Sequence, residues 1–520
     1  MYHINSKVDK PDINYLHKRV REMMSRGVAV GNLSEMYGKF VSERDAISAD
    51  IQENYGIYNP NSSQQITKYM SSLEDSVIYD ICYVNNKWTS NKDSLSKLVE
   101  LGYQFAIDIL QYRRAKKYAE SIKSMADAAR QDNRVHPEVS LSKTNRINYS
   151  SPALMNIPKP LLWHTIKPIG EDNVLISADI KNQEPNILIN MLNAEELKPA
   201  LTADEGLYEH LFSQPFKPEA HLTIIVIPGY DEGIISNNQL AEMGNIDPYF
   251  YTPKIPKVST TYYNGVKVRY IDVTNVVVHP GNDTQLPDTV LIETVDNQQH
   301  QVPVVWETYN KKKLLNPGFI SITGELEGIE VRCDGIARKE FKVAWNAMTY
   351  GASSFGVENM CKNIDGKAVY KYFSKIEAFN NYRKNCTRLA NNGIQTISTY
   401  FGSQLFAGEE DNGKLKRVLM DLPVQGTASD ILSLLIKHAD DEIISRGLID
   451  KLSIYYTRHD EIIFEVSRNW VDSVGIDTVK AIIMDIVEHR VDDWVPFKVE
   501  IEEVKADVLY IDDDNPFDDT

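Results

Sequence analysis

Two aspartates stand where a charge is expensive. Asp179 ends the apolar run Asn173-Val-Leu-Ile-Ser-Ala-Asp179, and Asp460 lies in the tight join inside Ser453-Ile-Tyr-Tyr-Thr-Arg-His-Asp-Glu-Ile-Ile-Phe-Glu-Val466. A carboxylate at a buried strand end needs a cation or hydrogen bonds to offset its lost hydration. Two such groups on neighbouring strands could hold two divalent ions ~3.5–4 Å apart, an arrangement that supports in-line phosphoryl transfer. Oxygen donors favour Mg2+ or Mn2+. Either aspartate alone reads equally well as the cap of a turn. A second constellation complements the first. Arg338, Lys342, Asn346 and Tyr350 recur at every fourth position of Ala337–Gly351, which places two cations, an amide and a ring along one helical face. Such a stripe can bind a triphosphate at its cationic end and present a ring to a base. The plain alternative is a solvated, salt-bridged face.

These groups need elements to hold them. Apolar residues at helical spacing predict helices over Tyr15–Met24, Ser34–Gln52 and Ser94–Ala129, with a shorter capped helix inside Asn61–Met70. Asn173–Asp179 reads as a strand, Ser453–Val466 as two strands joined at His459-Asp460-Glu461, and Phe497–Glu502 as another strand. Between residues 216 and 332 the pattern changes to short β-branched runs (Leu222–Ile227, Val266–Val278, Thr289–Val295, Gln301–Trp306) separated by turn clusters, which predicts a small β-rich module. Helices return over Ile336–Ala407 and Gln425–Arg446.

In that order the motifs resemble the polymerase part of family A (DNA polymerase I-like) DNA polymerases, from Asn14 to Val504. Thr144-Asn-Arg-Ile-Asn-Tyr-Ser-Ser-Pro-Ala-Leu-Met-Asn-Ile-Pro158 is similar to the family's T-G-R-L-S-S-x-x-P-N-L-Q-N-I-P segment. Ser177-Ala-Asp179 through Glu184 resembles motif A, and Arg338 through Gly351 resembles the R-x3-K-x7-Y-G of motif B. Leu422-Pro-Val-Gln-Gly-Thr-Ala-Ser-Asp430 resembles N-x-P-x-Q-G-T-A-A-D, and His459-Asp-Glu461 resembles motif C. Each motif is weak alone; five in the family's order are not.

The resemblance implies an α+β right-hand polymerase with palm, fingers and thumb, an antiparallel palm sheet and a β-rich insertion between motifs A and B. Its expected divisions are a helical N-terminal and thumb region (1–138), a first palm part (139–215), the insertion (216–332), fingers (333–415), a second palm part (416–506) and an acidic tail (507–520). It also implies roles. Asp179 and Asp460 ligate two Mg2+ ions, for which Mn2+ substitutes, and Glu461 supports them. Arg338 and Lys342 neutralise the triphosphate, Tyr350 stacks near the templating base, Asn346 lies near the sugar, and Glu184 is the steric gate. Arg146, Arg417, Gln425 and His459 contact the primer terminus or the minor groove. The basic stretch Arg113-Arg114-Ala-Lys116-Lys117, with Lys123, Arg130 and Arg134, falls in the thumb and suits duplex phosphates, or else forms a solvated helix face. Motif A departs from the family's D-Y-S-Q-I-E-L-R by reading Asp-Ile-Lys-Asn-Gln-Glu-Pro-Asn, Asn346 replaces an aromatic residue, Asn145 a glycine and Asp421 an asparagine.

The expected activity is templated primer extension with dNTPs, by a compact and phage-type enzyme without a proofreading nuclease in cis. Primer–template DNA and dNTPs are the expected partners, with an accessory replication protein at the insertion or the acidic tail. A single-subunit phage-type RNA polymerase and a catalytically silent polymerase-like DNA scaffold are the alternatives. Composition sets the outer bounds. At 520 residues, with 42% hydrophobic and 25% charged residues, the chain is expected to be a multi-lobed globular protein. No apolar run approaches the ~20 residues that span a bilayer, and four scattered cysteines suggest neither zinc nor a disulfide framework. A reducing cytoplasm, in a bacterial host, is the expected setting. The net charge of −17 argues weakly against a nucleic-acid partner, since local basic stripes decide such binding.

Overall fold

The structure is a computed structural model describing residues 11–505, apart from 85, 213–214, 216–218, 230, 236–260, 272–273, 334, 362–363 and 489–493. The acidic tail and Lys254 and Lys257 of the insertion lie outside the described residues. The chain is a mixed α+β protein whose backbone divides into two compact units.

Among the described residues, the first unit takes 11–183, 401–403 and 425–505. Its centre is a four-stranded antiparallel sheet in the order Leu452–Arg458, Glu461–Val466, Val174–Ile180, Val499–Glu503. Val174, Leu175, Ile176, Ala178 and Ile180 are all buried, so the inner strand is covered on both faces, with Ser177 as its one polar residue before Asp179. Helix Ile476–Val487 packs on this sheet. Helix Ile13–Arg26 packs against the strand Leu452–Arg458 through the stripe Leu16, Val20, Met23, Met24. Asp12 caps it by accepting from the Asn14 and Tyr15 amides. Arg19 clamps Asp440 with two hydrogen bonds (2.7 and 2.8 Å), and Tyr15 Oη donates to the same carboxylate at 2.7 Å.

Helices Leu33–Tyr55 and Gln104–Ala128 form a long antiparallel pair, with Phe40 against Tyr118 and Tyr55 against Phe105. The continuous helix that the periodicity predicts over Ser94–Ala129 is two helices. Lys92–Glu100 ends at Gly102, whose φ of 82° only glycine adopts freely, and Gln104–Ala128 begins after it. Short helices at the far end close over a core of Ile51, Ile66, Met70, Ile78, Leu95, Leu98 and Phe105.

The second unit takes residues 184–400 and 404–424. Helix Gly335–Thr349 is its centre: Phe341 and Trp345 are fully buried, Phe341 against Phe212 and Trp345 against Phe373 and Phe379. A nine-stranded sheet, antiparallel except where Thr274–Val278 runs parallel to Glu219–Val226, accounts for the β-rich stretch. The sequence reading passed over its longest strand, Gly318–Leu326. Gly324 interrupts the apolar alternation there, and a Cβ at that position would lie 2.5 Å from Val304 and 2.6 Å from the Trp306 ring.

The helix expected from Gln425 instead starts at Asn412 and runs to Ser445, with Pro423 inside it. Proline has no N–H for the carbonyl four residues earlier, here Leu419, and its ring crowds that carbonyl. The gap is filled from the neighbouring helix Glu377–Asn391: Cys386 Sγ donates to Leu419 O at 3.5 Å, and Tyr382 Oη donates to Met420 O at 2.6 Å. Burial pushes the Cys386 thiol up to about 12, so it stays protonated as a donor. Replacing Tyr382 with Phe removes a buried donor from this repair, and should cost about 1–2 kcal/mol in urea unfolding. Unchanged stability would show that the bend needs no outside donor.

Candidate functional site

The carboxylates of the first unit are set by register. Asp179 lies directly opposite Glu461 on one neighbouring strand and opposite Glu500 on the other, which puts three carboxylates in a row on one face of the sheet. Asp460 occupies the two-residue turn before Glu461, and its carbonyl accepts from Ile180 N at 3.2 Å. Glu461 is 3% exposed; Ser177, two residues before Asp179 on the same face, donates to it. Lys159 Nζ lies 3.4 Å from Asp179 Oδ2 and 3.1 Å from Glu461 Oε1, and 4.6 Å from the centre of the Trp163 ring. Lys181 Nζ lies 3.3 Å from Asp179 Oδ2 and pairs with Glu500.

The segment before the sheet is pinned to it. Arg458 donates to Ile157 O at 2.9 Å, just ahead of Lys159. Tyr149 donates to Thr457 O at 3.1 Å and its ring packs on Tyr456, which seats the hairpin Glu138–Ser150 on the strand Leu452–Arg458. Arg146 sits in that hairpin's turn. Asn145 before it has a φ of 57°, a left-handed conformation that asparagine tolerates, which accounts for the glycine usual in the family's segment. His459, also left-handed at φ 52°, has its proton affinity lowered by desolvation and then by the Arg458 and Arg146 charges.

In the second unit, helix Gly335–Thr349 buries Ala337, Phe341, Ala344, Trp345 and Met348, leaving Arg338 and Lys342 exposed and Asn346 half-buried. Arg338 pairs with Glu209 and lies 5.7 Å from the Tyr208 ring centre. Tyr350, just past the helix, donates from Oη to Glu184 Oε2 at 2.5 Å. Residues 166 positions apart in the chain are thereby joined, a link that no local pattern announces. Arg417 is exposed on the helix Asn412–Ser445, and Gln425, in the first unit, is half-buried on the same helix. In the long helix pair, Arg113 turns inward and donates to Ser90 O at 2.7 Å; Arg114 lies 3.9 Å from Glu43 and Lys116 3.7 Å from Glu120, while Lys117 is exposed. In the insertion, Lys311 pairs with Asp283, and Lys312 and Lys313 are exposed.

Sequence reasoning missed Lys159, Lys181 and Glu500. Lys159 sits in Pro-Lys-Pro with no periodic signal, and Lys181 is only one of several residues that depart from the motif A pattern.

The donor set fits a hard divalent cation. Among the described residues no group of three or more His, Cys, Asp or Glu is arranged as a metal cage. Two carboxylates completed by water and phosphate oxygens are a usual Mg2+ environment. The Asp460 carboxyl is also short of positive charge: burial first, then the Asp179 charge, raise it from 3.8 to about 6. A carboxyl held above its unfolded value adds stability at low pH, and that contribution disappears as the pH rises through about 6. Without divalent metal, Asp460→Asn should therefore stabilise the protein by about 1–3 kcal/mol at pH 8, and by about half as much at pH 5. Urea unfolding at the two pH values measures this, and a variant less stable at pH 8 would contradict it.

Residues 30–223 and 322–506 match the profile of DNA polymerase family A, and residues 271–329 match that of a bacterial Ig-like domain (group 4). DNA polymerase I of Rhizobium leguminosarum is 25% identical over 180 residues, covering 32% of this chain and 18% of that protein. DNA polymerase I of Lactococcus lactis is 26% identical over 186 residues, covering 33% of this chain and 20% of its own length. The matched stretch thus spans about a fifth of these curated relatives. The POL domain of Pol1 from M. smegmatis, solved in complex with DNA primer-template and dNTP, superposes with a TM-score of 0.58 at 18% identity, covering 94% of this chain and 68% of that one. The palm, fingers and thumb expected from the motifs agree with this shared fold. With 379 residues matched across two segments, the chain belongs to DNA polymerase family A.

Proposed function

We propose that this chain is a DNA-directed DNA polymerase that extends a primer 3′ end with dNTPs by two-metal phosphoryl transfer. The observation that carries the reading is the pair Asp179 and Asp460, placed by strand register at one end of a largely buried sheet. These two carboxylates would hold the cations, with Glu461 behind them. Divalent ions bound there supply charge neutralisation at the attacking and leaving oxygens. The rest falls to the chain's own groups. Arg338 and Lys342 take the triphosphate, for which Arg338 exchanges Glu209 for phosphate oxygens. Asn346 and Tyr350 border the sugar and base, and the Tyr350 hydroxyl holds Glu184 in place as the gate against a 2′-hydroxyl. Arg146, His459, Arg417 and Gln425 contact the primer terminus and the new pair. On the thumb, Lys116 and Lys117 meet duplex phosphates, while Arg113 and Arg114 brace the helix that carries them.

Primer extension tests the reading. Asp179→Ala should lower extension by about a thousandfold or more, since losing a cation removes several kcal/mol of transition-state stabilisation. Primer–template affinity should stay close to that of the parent protein. Near-normal extension in Mg2+ would sink the assignment. Glu184→Ala should raise the ribo- to deoxynucleotide ratio of kcat/KM by roughly tenfold or more. An unchanged ratio would place sugar discrimination elsewhere.

A further inference from the structure

The row of carboxylates across the first unit's sheet does not stand alone. Glu461, Asp179 and Glu500 lie on three adjacent strands, and a lysine is set into each interval, Lys159 between the first two and Lys181 between the last two. Like charges directly opposite each other on neighbouring strands repel, so the two ammonium groups offset a repulsion that the register imposes. Both lysines reach the same oxygen, Asp179 Oδ2. That carboxylate is one of the two assigned to metal. Lys159 has a second seat beside it: its Nζ already lies over the Trp163 ring, which can hold an ammonium that has let go of a carboxylate.

We propose that Lys159 and Lys181 are resident counter-cations of the carboxylate row, competing with divalent metal for Asp179. The inference rests on the metal role assigned to Asp179 above. Metal reaches that oxygen by displacing the ammonium groups, and Lys159 withdraws onto Trp163 as it does so. The nucleotide-free protein consequently binds free divalent cations weakly. The two lysines are positioning residues: they set how Asp179 meets its ligand.

The test is Mn2+ binding to the full chain without DNA or nucleotide, read from the electron paramagnetic resonance signal of unbound Mn2+. Circular dichroism confirms that each variant is folded. Lys159→Met and Lys181→Met, which keep the side-chain stem and remove the charge, should each tighten Mn2+ binding several-fold. The double variant should tighten it roughly tenfold, equivalent to about 1.4 kcal/mol. Lys159→Arg, which keeps the charge, should stay within about twofold of the parent, and Asp179→Asn should abolish the site. Unchanged or weaker binding in both Met variants, with Asp179→Asn still abolishing it, overturns the competition and leaves the metal site standing. Binding indifferent to Asp179→Asn overturns the metal site itself, and the competition with it.

Discussion

The carboxylate row of this chain depends on one strand register. Asp179 faces Glu461 and Glu500 only because Val174–Ile180 pairs as it does with both neighbours. A slip of one residue would send Asp179 to the face of Ile176 and Ala178 and bring Ile180 to the carboxylates. The apolar residues on both faces of that strand make such a slip costly, since it would strand a charge in the core. Tyr149 and Arg458 extend the same control outward, so that the Arg146 hairpin and the segment before Lys159 take their positions from the sheet.

A site built this way is held in tension. Asp460 keeps its proton more tightly than a free aspartate because it is buried beside another carboxylate. Lys159 and Lys181 meet Asp179, Glu461 and Glu500 in the same row. Function-bearing groups are commonly held against stability in this manner.

The sequence displayed what is local. An apolar run ending in a charge announced the strand of Asp179, and the hairpin around Asp460 was legible from two such runs meeting at a polar join. The every-fourth-residue stripe from Arg338 to Tyr350 was visible because helical periodicity is short-ranged. What stayed hidden is long-range or masked by a special residue. Glu184 and Tyr350 meet across 166 positions, and Arg338 finds Glu209 from 129 away. Gly324 disguised a central strand whose missing side chain makes room for Trp306. The helix expected from Gln425 begins earlier, at Asn412, because the donors that repair it around Pro423, Cys386 and Tyr382, come from another part of the chain.

That repair gives the protein a chemical clock. The Cys386 thiol is buried, protonated and committed to a backbone carbonyl, so it is inert while the helix bend is closed. It becomes a nucleophile only in the moments when the two helices part and water reaches the sulfur. The rate at which a disulfide reagent consumes it therefore counts local openings at a proline, separately from global unfolding.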